Sequence, residues 1–259
     1  MNISIRKGNV WSETAIISIV VPCLNEEAHL PFFMASLMIQ QEPFELVIVD
    51  GDSWDNSRSI VDRYRESFPI TGLIDATRNL GYVRNKGAFC ARGDPLIFTN
   101  SDAVLPAFLI GDIAHEFEKD PELLALTGRT ISWDGGLICS VAYGCFDILR
   151  WLFARLGKFS PSGNFLAIRS SVFWAVGGFP HCKLNEDGEL GLKLNEYARR
   201  KHGKLRFKMG FYIGHWAGRF KKGPLKSLMF YSYVFGNFSP GLKKVLQARQ
   251  NKSARSFDD

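Results

Sequence analysis

Two short runs of β-branched and apolar residues, Ile16–Pro22 and Phe44–Val49, flank a stretch whose apolar residues recur at helical spacing. This alternation constrains the fold more than any other feature of the chain. Runs of six or seven apolar residues fit a strand buried on both faces and are short for a helix. Between them, Pro31 suits a first helical turn, and Leu30, Phe33 and Leu37 line one face. A strand, a helix and a second strand in that order predict parallel pairing. The pattern repeats: Asp52 to Asp55 offer capping side chains for a helix to about Arg65, Thr71–Asp75 reads as a third strand, and Gly81–Ala91 as a helix. Pro95–Thr99 reads as a fourth strand ending in Asn100-Ser101-Asp102, with another helix after Pro106.

Past the apolar run Leu123–Ile131, residues 132–160 mix glycines, aromatics and isolated charges without a clean period, which predicts an irregular or helical insertion. Regular structure is expected again at Gly163–Ile168, in a short helix Ser170–Val176, at the turn Gly177-Gly178, in a helix from Glu186 to about Arg200, and in a strand Lys204–Ile213. The expected fold class is therefore α/β, a mainly parallel central sheet flanked by helices. At 259 residues with 46% hydrophobic side chains, the chain has ample material for such a core.

Charge is unevenly placed. Residues 201–259 carry 13 Lys or Arg against Asp258 and Asp259, so this part is +11 while the remainder is −5. A basic C-terminal extension, 221–259, is expected either to meet an anionic counterpart, namely an anionic membrane surface, or to be a solvated tail. The window Leu137–Phe153 is interrupted by Asp147 and Arg150, so no spanning helix is expected. Five scattered cysteines and no leader pattern point to a reducing, cytoplasmic setting, peripheral on the inner face of the membrane.

In an open parallel sheet, ligands gather outside the carboxyl ends of the strands. Asp50 and Asp52 follow the second strand, Asp102 the fourth, and Glu186-Asp187 opens a later helix. Capping alone accounts for Asp52, and the helix dipole favours Glu186-Asp187 whatever the function. Asp50 and Asp102 together are less easily explained that way. Carboxylates converging beside a nucleotide diphosphate need an intervening cation, so Mg²⁺ or Mn²⁺ is expected. A dinucleotide-binding dehydrogenase is excluded because the first strand leads into Pro22-Cys23-Leu24-Asn25-Glu26 and not a Gly-x-Gly-x-x-Gly turn. A nucleotidyltransferase lacks its phosphate loop there, and no recognisable nucleic-acid module accompanies the basic tail, so no nucleic-acid partner is expected.

The segments Val20-Val21-Pro22-Cys23-Leu24-Asn25-Glu26-Glu27 and Val47-Ile48-Val49-Asp50-Gly51-Asp52-Ser53 together resemble the opening of family-two, GT-A-fold glycosyltransferases. Arg84-Asn85-Lys86-Gly87-Ala88, Phe98-Thr99-Asn100-Ser101-Asp102, Gly163-Asn164-Phe165, Val176-Gly177-Gly178-Phe179, Glu186-Asp187 and His215 follow in the family's order. The resemblance implies a GT-A domain over 14–220, with the 132–160 insertion on the acceptor side. It implies a metal-dependent, inverting transfer of a sugar, of hexosyltransferase type, from a UDP or GDP type nucleotide-sugar donor to a glycan or lipid-linked acceptor. Pro22 and Glu26 would line the nucleotide pocket, Asp50 would hydrogen-bond the base with Asp52 beside it, and Arg84 would face the ribose or diphosphate. Asn100-Ser101-Asp102 stands where the family carries Asp-x-Asp, and departs from it at Asn100. Asp102 and His215 would hold the metal. Gly163, Asn164 and Glu186 would lie on the acceptor side, and Asp187 would be the catalytic base. The missing charge at Asn100 keeps open an alternative, a non-catalytic nucleotide-sugar-binding protein of the same fold.

Overall fold

The computed structural model describes residues 17–216, apart from Arg78 and 182–184. The basic extension 221–259 and the domain boundaries expected at 14 and 220 lie outside the described residues. Strands β1 (Ile17–Cys23) and β2 (Phe44–Asp50) are buried almost throughout, which is why their sequences are apolar on both faces. Helix α1 (Leu30–Met38) carries its proline in the first turn, and α2 is a short helix, Ser57–Asp62, ending before the expected Arg65. Strand β3 (Ile70–Ile74), helix α3 (Leu80–Cys90), strand β4 (Leu96–Thr99) and the two-residue β5 (Ala103–Val104) follow, then α4 (Leu109–Lys119) and β6 (Leu123–Ser132).

Residues 136–155 form one twenty-residue helix, α5, so the insertion is helical. Strand β7 (Phe165–Ile168), helices α6 (Ser170–Ala175) and α7 (Glu186–Lys201) and strand β8 (Lys204–His215) complete the described residues. The described strands make one eight-stranded sheet in the order β3-β2-β1-β4-β7-β6-β8-β5. It is mixed: β1, β2, β3 and β4 are mutually parallel, as are β6 and β8, but β7 runs antiparallel to both neighbours and β5 is antiparallel to β8. Apolar runs mark a strand's presence and not its direction, so the sequence pattern could not distinguish the β7 pairing.

Two cores sandwich this sheet. On one face Leu30, Phe33 and Leu37 of α1 meet Ile110, Ile113 and Phe117 of α4. On the other, Ala88 of α3, Phe173 of α6, and Leu190 and Leu194 of α7 pack together. Each of the large side chains removed from water contributes about 1.5–3 kcal/mol. Gly87 lets α3 lie directly on the sheet, because a Cβ there would sit 2.5 Å from Cγ1 of Val20. Helix α5 packs on β6 and β8. No helix among the described residues is long and apolar enough to cross a membrane.

Candidate active site

The carboxyl ends of β1, β2, β3 and β4 and the start of α7 open on one edge of the sheet, and the polar side chains of interest gather there. The β1–α1 and β2–α2 loops are stitched together: Asn25 N–H donates to Ser53 Oγ (2.9 Å), Glu26 N–H to Ser57 Oγ (2.8 Å), and Glu27 N–H to Asp55 (3.0 Å). Pro22 is half-buried at the end of β1. Asp50 is buried, and its Oδ1 accepts from Ser53 N–H at 2.7 Å and from Arg58 at 3.1 and 3.2 Å. Oδ2 has no partner among the described residues. Asp52, in a left-handed conformation at φ 69°, is exposed and accepts from the same Arg58 at 2.6 Å. Cys23 beneath them is no nucleophile, since burial and the nearby Asp50 push its thiol up to about 12.

At the centre stands Arg84. Its side chain is 2% exposed and is turned to protein partners. One terminal nitrogen donates to Glu186 (2.8 Å) and Asp187 (3.2 Å), the other to Asn100 Oδ1 (3.2 Å) and the Gly163 carbonyl (3.0 Å). Gly163 N–H returns a bond to Asp187 Oδ2 at 2.6 Å. A Cβ on Gly163 would collide with the guanidinium, so only glycine closes this ring. Asn100 Nδ2 donates to Asn164 Oδ1 (2.7 Å), and the Asn164 carbonyl accepts from Thr99 (2.8 Å). Thus Asn100, Gly163, Asn164, Glu186 and Asp187 form one network around Arg84.

Glu186 and Asp187 occupy the first turn of α7, where the helix dipole favours negative charge. Burial raises the Glu186 carboxyl above its usual range; the charge of Asp187 adds to this and Arg84 opposes it. Asp187 is the more exposed of the pair, with 31% of its side chain open to solvent. Asn185, which precedes them at φ 66°, is buried with both side-chain polar atoms unpartnered.

Asp102 and His215 meet on the other side of Asn100 and the buried Ser101, with Nε2 of His215 3.1 Å from Oδ2 of Asp102. Glu26 lies within electrostatic reach of both: burial raises its carboxyl, its hydrogen bond with His29 opposes this, and Asp102 adds to the rise. Two donor atoms about 3 Å apart are what a six-coordinate ion with bonds of about 2.1 Å presents at adjacent positions. Among the described residues no group of three or more His, Cys, Asp or Glu is spaced to hold an ion alone. A carboxylate and an imidazole are of the donor types that could hold a divalent cation together with further ligands.

The profile of glycosyl transferase family 2 matches residues 18–177. The chain belongs to this family. A curated relative, the uncharacterized glycosyltransferase YfnE of Bacillus subtilis, is 33% identical over 119 residues, 44% of this chain and 30% of that protein. The chain spans 14 to 36% of the first three such relatives. The fold is shared with the mannosyltransferase PcManGT from Pyrobaculum calidifontis in complex with GDP-Man and Mn²⁺ (TM-score 0.68, 18% identity, 88% of this chain and 64% of that one). It is shared too with S. aureus TarS 1–349 in complex with UDP-GlcNAc (TM-score 0.62, 20% identity, 77% and 58%). These are GT-A enzymes, and the mixed sheet with flanking helices is theirs.

Within this family member several site residues carry no sequence signal. Arg58 covers Asp50 and Asp52 from a helix whose pattern marks it only as solvated. Asp75, at the end of β3 beside Asp50, is held down to about 2 by Lys86, which donates to it at 2.7 Å. The apparent strand-end position of Asp75 was the available signal. Arg129, at the end of β6, has no motif around it.

Proposed function

We propose that this chain transfers a hexose from a nucleotide-sugar donor of UDP or GDP type to an acceptor hydroxyl, with inversion at the anomeric carbon. The observation that carries this reading is the Arg84 ring, which links the part-exposed Asp187 to Asn100, beside the Asp102–His215 pair. Pro22, Asp50 and Asp52 would take the nucleoside, with the unpartnered Oδ2 of Asp50 accepting a base N–H. Asp102 and His215 would hold a divalent cation, the imidazole inclining the choice toward Mn²⁺. Such an ion, when bound, neutralises charge on the leaving diphosphate. Asp187 would accept the proton of the attacking hydroxyl, while Arg84 and Gly163 N–H fix its carboxylate. Gly163, Asn164 and Glu186 hold that base on the acceptor side. Fold relatives carrying GDP-Man with Mn²⁺ and UDP-GlcNAc support the donor class.

One observation favours a second reading, a nucleotide-sugar-binding protein without turnover: Asn100 lacks the charge of the first metal-motif carboxylate. The two are separated by donor turnover. Stability should rise with UDP- or GDP-sugar plus Mn²⁺ in a thermal-shift assay. Asp102→Ala should abolish that shift. Asp187→Asn should keep it while lowering turnover by ~10²-fold or more. Full turnover by Asp187→Asn would remove Asp187 as the base; binding with no turnover in the wild type would establish the second reading.

A further inference from the structure

Helix α5 is built inside out. Its charged side chains, Asp147 and Arg150, are buried and satisfied within the fold: Asp147 accepts from Thr130 N–H (3.0 Å), and Arg150 donates to Asp147 (3.3 Å) and to the Ser160 carbonyl (3.1 and 3.2 Å). Its apolar side chains lie outside. Leu137, Val141, Ile148, Leu149 and Leu152 are all exposed, Leu137 at 81%. At 100° per residue, Leu137, Val141, Gly144, Cys145, Ile148 and Leu152 fall within an arc of about 100°, a single stripe with no charged residue in it. A surface helix normally turns its charge to the solvent. A continuous apolar stripe in that place marks a contact with another molecule.

This face reads alike from either end. Turned end for end about a point between Gly144 and Cys145, it sets Leu137 opposite Leu152, Ser140 opposite Leu149, Val141 opposite Ile148 and Gly144 opposite Cys145, and every one of these positions is exposed. Large apolar side chains meet toward both ends and small ones at the middle. The fold of the chain itself does not call for Gly144: a Cβ there would meet nothing within 4 Å, and glycine is a weak helix former. The missing side chain leaves room for a second helix to approach. Ser140 brings no unpaired hydroxyl into such a contact, because it already donates to the Gly136 carbonyl at 2.9 Å. The same rotation extends past the stripe. It sets the exposed Trp133, just before the helix, opposite the exposed Leu156, and Asp134 opposite Arg155, the first charged residue beyond each end. Opposite charges thus meet at both ends. A surface complementary to itself in size, polarity and charge under a two-fold rotation is what an isologous dimer requires. An anionic bilayer fits it less well, since no Lys or Arg lines the stripe.

We infer that the chain forms a two-fold dimer in which α5 packs antiparallel on α5 of a second copy, the two helices crossing at Gly144 and Cys145. This assembly does not depend on the transfer chemistry.

The test is sedimentation equilibrium of the full chain, whose mass should rise from 29.2 kDa toward twice that value with concentration. Val141→Glu with Ile148→Glu should weaken dimerisation ~10-fold or more, because like charges then face each other across the pair, and Val141→Lys with Ile148→Lys should do the same. Mixing the glutamate and lysine chains should restore a dimer. Gly144→Met should weaken association while leaving the separate chain at least as stable in urea. Mild oxidation should join two chains through Cys145, an exposed free thiol, and Cys145→Ser should abolish that link. With Cys145→Ser as background, a Leu137→Cys chain should cross-link to a Leu152→Cys chain and not to its own kind, which reports the antiparallel direction. Since all these positions are exposed, each variant should melt near the wild type. A monomer at every concentration, a dimer indifferent to the Val141, Ile148 and Gly144 substitutions, or charged chains that fail to pair when mixed would each overturn the inference. So would a monomer that pellets with anionic vesicles through these same residues, which would assign the stripe to a bilayer.

Discussion

Removing Arg84 separates two roles that the resemblance and the structure assign differently. The guanidinium makes four hydrogen bonds, two of them to carboxylates. Bonds to charged partners contribute about 1.5–3 kcal/mol each and the neutral ones about 1 kcal/mol, though not additively. Arg84→Met would leave two carboxylates without their cation, a loss on the order of 3–5 kcal/mol when a buried pair is broken from one side. Proton uptake by Glu186 would relieve part of it. Arg84→Lys keeps the charge but cannot form the fork, and should recover part of the stability and little of the geometry. Since Arg84 is 2% exposed, neither variant should change donor binding by more than about threefold, whereas displacing the base by about 1 Å should lower turnover by ~10²-fold. The assay pairs calorimetric titration of UDP and GDP with Mn²⁺ against nucleoside diphosphate release from the sugar nucleotide. The pH dependence of release should also shift in Arg84→Met, because the cation opposing protonation of the pair is gone. Donor affinity falling more than tenfold with turnover unchanged would mean that Arg84 touches the donor, and the positioning role would be refuted.

Gly163→Ala should reproduce the Arg84→Lys turnover defect without changing charge, since the new Cβ displaces the guanidinium; wild-type turnover would show that the ring tolerates repacking. Asn100→Asp should lower the Mn²⁺ concentration needed for half-maximal donor hydrolysis, and an unchanged requirement would show that this position does not contribute to metal binding. Asp147, which burial pushes up to about 6 against the opposing charge of Arg150, stabilises the fold by keeping its proton. That contribution is complete below about pH 4 and lost as pH rises through about 6, so the wild type should lose about 3 kcal/mol relative to Asp147→Asn between pH 4 and 7. Urea midpoints at the two pH values measure this, and parallel pH curves would refute it.

What the sequence made legible follows from where its signals are strong. Strands β1, β2 and β4 announce themselves by apolar runs ending in polar turns, and α7 by its acidic start and basic end. Helix α5 was legible only as an irregular or helical insertion because its pattern is inverted: Asp147 and Arg150 are buried while Leu137 and Val141 are exposed. Arg84 was legible as part of a motif but not as a buried hub, since four partners from three distant segments converge on it only in the folded chain. Arg58 was silent for the opposite reason. A solvated helix arginine and one that covers two carboxylates look alike in sequence.

The departure at Asn100 acquires a physical sense from the same hub. Arg84 is a single buried cation facing two carboxyl groups, and the Glu186 carboxyl is raised by burial first and by its neighbour Asp187 second, with Arg84 opposing both. An aspartate at 100 would bring a third carboxylate to the guanidinium and draw it away from α7. Asparagine gives Arg84 a neutral acceptor on one side and uses its own N–H to fix Asn164 on the other. The charge missing from the metal side is thus the charge that keeps Asp187 paired. Asn100→Asp, while easing the metal requirement, should therefore raise the pH at which donor hydrolysis reaches half its maximum.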